Sequence, residues 1–378
     1  MKVPLLDLKQ QNDGLRPELE AAFARVLDSG QFIMGPEVEG LEKACAEVTG
    51  ARHALGVSSG TDAILLALMA LGIGPGDEVI CPSFTFFATA GCIARTGALP
   101  VFADSCPVTF NIDVRGIESR ITPRTKALMP VHLFGQSADM DPLMEIAARH
   151  RLPVIEDAAQ ALGARYRGRG AGTTGAFGTY SFFPSKNLGG FGDGGLLTTN
   201  DGRLAEHARI LRTHGAKPKY FHKFVGGNFR LDPLMAALLR AKLPRLAGYS
   251  AHRQANAAYY TERLSALPGV AVRQAERIVL PVILPGHDHI WNQYTLRVLG
   301  GQRDALQNFL KQRDIGSEIY YPKPMHLQEC FAQPGQTPEP LPVCEALSQE
   351  ALSIPVFPEL TRPQQDTVVS AIAEFLAQ

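Results

Sequence analysis

Between residues 50 and 200, short apolar runs alternate with segments of helical period, and no other feature of the chain narrows its fold as far. His53–Val57 reads as a strand and 62–71 as a helix, closed by the turn Gly74-Pro75-Gly76-Asp77. Strands follow at 78–81 and Leu99–Ala103, on either side of a helix at 89–96. A strand at 126–131 leads to a helix at 142–150, which Asp141 is placed to cap, and then to a strand at 153–156. This rhythm predicts an α/β fold with a mostly parallel sheet and helices on both faces.

Two further strands, 177–182 and 196–199, flank a glycine-rich loop. The stretch 231–246 is apolar on a helical period with Asp232-Pro233 as its start signal, and 253–267 continues it. After Pro268-Gly269 the pattern changes, with strands expected at 278–284 and Tyr294–Val298 and helices at 303–312 and 363–376. We therefore expect a large α/β domain over 1–250 and a smaller C-terminal α+β domain over 251–378. A first helix at 17–28 stops at Gly30. Lysine plus arginine equals aspartate plus glutamate at 37 each, and no basic stripe advertises nucleic acid. The start lacks the apolar run of a signal peptide, and no stretch approaches the ~20 apolar residues of a membrane span. Six scattered cysteines include no C-x-x-C pair, which suggests free thiols in a reducing cytoplasm and no metal site.

Four segments carry chemistry. Ser58-Ser59-Gly60-Thr61-Asp62 lies between a strand and a helix, where free N–H groups and the helix dipole form an anion site; the same residues also serve as a plain N-cap. It is neither a Walker loop nor a G-x-G-x-x-G dinucleotide fingerprint. Phe86 follows a strand end, where it either stacks on a flat ring or joins the core. Glu156-Asp157 closes another strand at the sheet edge where ligands bind, so one carboxylate there can pair with a cationic ring nitrogen. Gln160 is placed to reach a ring oxygen. Lys186, in Ser181-Phe182-Phe183-Pro184-Ser185-Lys186-Asn187-Leu188-Gly189-Gly190, follows a proline break and precedes glycines, which suits an amine aimed into a cleft. Together they describe a ligand with a phosphate, a basic ring nitrogen, a phenolic oxygen, a flat face and an aldehyde. That ligand is pyridoxal 5′-phosphate (PLP), with Lys186 as its Schiff-base amine.

These motifs, with Phe32-Ile33-Met34-Gly35-Pro36-Glu37, Gly227-Asn228-Phe229-Arg230-Leu231-Asp232 and Tyr321-Pro322-Lys323-Pro324-Met325-His326, resemble the PLP-dependent nucleotide-sugar aminotransferases. The resemblance runs nearly the full length and implies the aspartate-aminotransferase fold, with a seven-stranded type of sheet. It implies that Gly60, Thr61 and Ser181 hold the cofactor phosphate, Phe86 stacks on the ring, Asp157 pairs with its nitrogen and Gln160 contacts its hydroxyl. Lys186 is then the catalytic amine. Asn228 is implied to reach the phosphate of a neighbouring subunit, making a homodimer with shared sites. Arg230, Tyr321 and His326 match segments on the sugar side. Relatives that dehydrate sugars carry histidine in place of the lysine, so Lys186 points to amination of a nucleotide-linked keto-sugar by L-glutamate. The Tyr320–His326 stretch is more like members acting on 3-keto sugars, with 4-keto sugars and cyclitol ketones as the alternatives. Two other classes stand against this reading: a PLP-binding, non-catalytic regulator, and a nicotinamide-dependent dehydrogenase, which the missing glycine fingerprint disfavours.

Overall fold

The structure, a computed structural model, describes residues 1–272, 276–332 and 337–378. Leu99–Ala103, Glu78–Pro82 and Thr125–Leu128 form a three-stranded parallel sheet in that order. His53–Val57, Gly195–Thr199, Phe177–Ser181 and Ile155–Asp157 form a four-stranded one. The parallel bridges Leu128–Val154 and Val131–Asp157 join the two edge to edge. Gly195–Thr199 runs against both its neighbours, so the layer is mixed.

Helices cover both faces. Gly60–Ala70 is apolar almost all round and packs with Phe87–Arg95 and Gly202–Arg212 into one core. Pro36–Thr49 and Pro233–Lys242 build a second core on the other face, around Leu41, Tyr180, Phe182 and Leu239. The C-terminal part is α+β. Its sheet runs Val270–Ala271, Ile278–Val279, Tyr294–Val298, Ala351–Ile354, backed by Leu246–Ser265, Arg303–Lys311 and Arg362–Leu376. The last helix starts with a capping box, Thr361 and Gln364 bonding each other's backbone N–H.

Several expectations shift, each for a local reason. The helix expected over 231–246 ends at Lys242, and a 3₁₀ turn at Leu243–Arg245 containing Pro244 separates it from Leu246–Ser265. That second helix runs without a break from Leu246 to Ser265. Asp139, not Asp141, occupies the cap position of Met140–His150, and its carboxylate accepts from the Tyr166 hydroxyl at 2.7 Å instead of from the helix. The strand expected over 278–284 pairs only at Ile278–Val279, since Pro281 and Pro285 bring no N–H to a ladder. The following residues become a strap that crosses to the large sheet's loops. Val3 ties the N-terminal segment to the C-terminal part of the chain. It exchanges hydrogen bonds with Asp314 and Gly316, at 2.9 and 2.8 Å, and is buried in the C-terminal core.

Candidate active site

Strand ends bring the chemical groups together. His53–Val57 stops at Ser58, Ser59 is extended, and its hydroxyl accepts from Asp62 N at 3.0 Å as the N-cap of Gly60–Ala70. The first-turn N–H groups of Gly60 and Thr61 have no acceptor within the helix, which is the geometry of an anion cup. A Cβ on Gly60 would stand 2.8 Å from the Cβ of Ser181, so only glycine lets the cup close against that residue. The two predicted phosphate contacts are thus neighbours in space though far apart in sequence.

The cup is continued by 228–231. Ser58 N donates to Phe229 O at 3.0 Å, and Val57 bridges Arg230. Asn228 beside it is exposed. The Arg230 Nε is buried without a partner.

Asp157 ends its strand and is 4 % exposed. Its Oδ2 accepts from the Thr89 hydroxyl at 2.8 Å and its Oδ1 from Ala159 N at 3.2 Å. Burial pushes its carboxyl above the usual range, and the Thr89 and Ala159 hydrogen bonds and the nearby Lys186 do not offset it. The preceding Glu156 is also fully buried but is richly bonded. It receives His132 Nε2 at 2.8 Å and the N–H groups of Gly172, Thr174 and Gly175 at 2.8, 2.7 and 2.6 Å. Burial acts to raise it, yet the His132 bond and the backbone donors hold it below its ordinary value. Ala138 N donates to His132 Nδ1 at 3.1 Å, which leaves the proton on Nε2, facing Glu156.

Lys186 is partly exposed on its loop, yet its amine is set deep enough that burial lowers it to about 8, against the pull of Asp157. Gln160 Oε1 accepts from Phe134 N at 2.6 Å, and its Nε2 donates to the Tyr321 hydroxyl at 3.2 Å. Phe86 is 57 % exposed, and its ring centroid lies 6.2 Å from that of Tyr321. A phenylalanine left open at a strand end, an under-bonded buried acid and an amine depressed by burial fit a flat, cationic, aldehyde-bearing ring. The cup supplies a place for its phosphate.

His326 is placed differently from the others. Its Nδ1 takes the Ser83 hydroxyl at 2.7 Å and its Nε2 faces Glu345 Oε1 at 3.3 Å, so both ring nitrogens are engaged inside the protein. Sequence reasoning missed Thr89, His132 and the Gln160–Tyr321 contact. Thr89 lies three residues after Phe86 on the same helix turn, which was a signal available in the sequence. His132 had none. Among the described residues no group of three or more histidine, cysteine, aspartate or glutamate side chains is arranged to hold a metal ion. No described helix is long and apolar enough to cross a membrane.

Known proteins resemble this chain over nearly its whole length. The model of the DegT/DnrJ/EryC1/StrS aminotransferase family matches residues 14–373. A pleiotropic regulatory protein of Geobacillus stearothermophilus is 50% identical over 375 residues, covering 99% of this chain and 99% of that protein. A dTDP-3-amino-3,4,6-trideoxy-alpha-D-glucose transaminase of Streptomyces venezuelae is 46% identical over 374 residues, covering 99% and 96%. The crystal structure of S. venezuelae DesV in complex with ketimine intermediate is similar with a TM-score of 0.94 at 46% identity, covering 100% of this chain and 99% of that one.

Proposed function

The chain belongs to the DegT/DnrJ/EryC1/StrS aminotransferase family, and we propose that it moves the amino group of L-glutamate to carbon 3 of a nucleotide-linked keto-sugar. It is a PLP-dependent aminotransferase; the products on this reading are an amino sugar and 2-oxoglutarate. The observation that carries the reading is the buried Asp157 at a strand end, whose carboxylate accepts only from Thr89 and Ala159 among the described residues while the Lys186 amine lies near it.

PLP, when bound, supplies the electrophilic carbon and the electron sink through which an amine and a ketone are exchanged. The chain's own residues do the rest. Gly60, Thr61 and Ser181 hold the phosphate. Asp157 would keep a proton on the ring nitrogen, because a negative charge beside a basic nitrogen favours its protonated form. Gln160 Nε2 turns to the ring hydroxyl, and Phe86 covers one face. Lys186 Nζ takes the proton from the donor's α-carbon and later returns one to the acceptor carbon. An amine near 8 is neutral often enough at physiological pH to do both.

Asn228 reaches the phosphate of a neighbouring copy in a homodimer. The exposed apolar run Tyr220, Phe221 and Val225, just before it, supports a partner surface there. Arg230 and Tyr321 face the sugar side. His326, with both nitrogens engaged, acts by holding the Tyr321 segment against Ser83. Preference for carbon 3 rests on the Tyr320–His326 stretch and on the name of the S. venezuelae relative. A panel of 3-keto and 4-keto nucleotide sugars and a cyclitol ketone, each with glutamate, tests it; faster turnover of a 4-keto sugar reverses the assignment. The regulatory name of the 50%-identical relative keeps a second reading alive. Absence of turnover across the whole panel, with PLP bound at Lys186, would favour it.

A further inference from the structure

The lysine loop is held from the C-terminal part of the chain. Asn187, next to Lys186, is buried, and its Nδ2 donates to Ile290 O at 3.1 Å. Its Oδ1 accepts from Asn292 Nδ2 at 2.6 Å. Both partners lie on the strap leading into the strand Tyr294–Val298. That strap is firmly mounted. Trp291 sits in the C-terminal core, stacked on His289 at 3.8 Å and on Tyr294 at 5.2 Å. The buried Arg253 of helix Leu246–Ser265 donates to Trp291 O at 3.1 Å and Asn292 O at 3.3 Å. The same strap reaches the other side of the site, where Gln293 N and Ile290 N donate to Phe134 O and Gly135 O at 3.3 and 3.0 Å. Phe134 N in turn bonds Gln160.

From this arrangement we infer that Asn187 is a positioning residue, and that through Asn292 it lets the C-terminal domain fix where the Lys186 amine stands. The inference rests on Lys186 being the reacting amine. A side chain one residue along, bonded twice to a rigid strap, removes the backbone freedom that would otherwise let the lysine swing toward water. Misplacement by an ångström costs about a hundredfold in a reaction that depends on alignment.

The test uses the full-length protein stripped of PLP, then given PLP and trapped with borohydride at a series of pH values, with the modified peptide identified by mass. In the native protein capture at Lys186 rises through pH of about 8. In Asn187→Ala and Asn292→Ala, capture at pH 7 falls about tenfold and its midpoint moves up toward the ordinary lysine value. The loaded variants lose kcat with little change in KM for the keto-sugar. The double variant loses no more than Asn187→Ala alone, since one side chain acts through the other. Should Asn187→Ala fail to fold, Asn292→Ala carries the same test from outside the loop. Unchanged capture midpoints, or losses that add in the double variant, overturn the inference. Failure of the native protein to take PLP at Lys186 overturns instead the functional reading beneath it.

Discussion

The two sides of the strand Ile155–Asp157 carry adjacent carboxylates with opposite fates. On one side Glu156 meets His132 and three backbone N–H groups, and its charge is fully met. On the other, Asp157 has one hydroxyl and one long backbone contact, and burial keeps its carboxyl high. A buried charge that is satisfied by the protein is structural. One that is left short, with a depressed amine nearby, is reserved for something the chain does not contain.

Each side can be broken separately. The largest expected effect lies at the amine that faces Asp157. Lys186→Ala should cut turnover by at least ~10⁴-fold, since it removes the nucleophile and the proton carrier together. Steady-state rates with glutamate and the preferred keto-sugar check it. Asp157→Asn should cost about 10²–10³-fold in kcat, as the loss of one preorganised charge does elsewhere. Its melting temperature without PLP should be unchanged or higher, because an under-bonded buried charge has gone. Glu156→Ala should invert that pattern. It strands the donors of His132, Gly172, Thr174 and Gly175, so stability should fall by about 3 kcal/mol in denaturant titration, with the surviving folded fraction still binding PLP.

Acid should separate the two sides as well. Glu156 is lowered in the folded protein, so its contribution is present above its unfolded value near 4.5 and is lost as pH falls through the folded one. Asp157 is raised, so without PLP its contribution is present at acid pH and fades as pH climbs through its folded value. Melting curves of the PLP-free protein from pH 2.5 to 8 should lose the acid-side slope in Glu156→Gln and the opposing one in Asp157→Asn. The smallest effect is expected from Thr89→Val, where losing one hydrogen bond of about 1 kcal/mol weakens PLP retention roughly fivefold. Dialysis followed by absorbance measures it; tighter retention would mean that Thr89 competes with the cofactor for Asp157.

What could be read from the sequence was local. A strand that ends in small polar residues before a helix announces its cup, and an acid pair at a strand end announces a cleft, whatever the rest of the chain does. Lys186 announced itself by a proline before it and glycines after. The sequence did not reveal how the two neighbouring acids would divide their roles, because the deciding donors come from elsewhere. His132 and Gly172 belong to loops that only the folded sheet brings beside Glu156. The loop clamp was equally hidden, since Asn187 and Asn292 are 105 positions apart. The helix break at Pro244 was visible in the sequence and outweighed by the apolar period around it. The short pairing at Ile278–Val279 has the same origin, with Pro281 breaking a run whose side chains alone favoured a strand.

Val3 closes against Asp314 and Gly316. The two ends of that pairing stand 311 positions apart, so the ordering of Val3 is coupled to the C-terminal core and not to the strands nearest it in sequence. A substitution that empties the space Val3 fills would therefore be felt in the C-terminal core rather than in the large sheet.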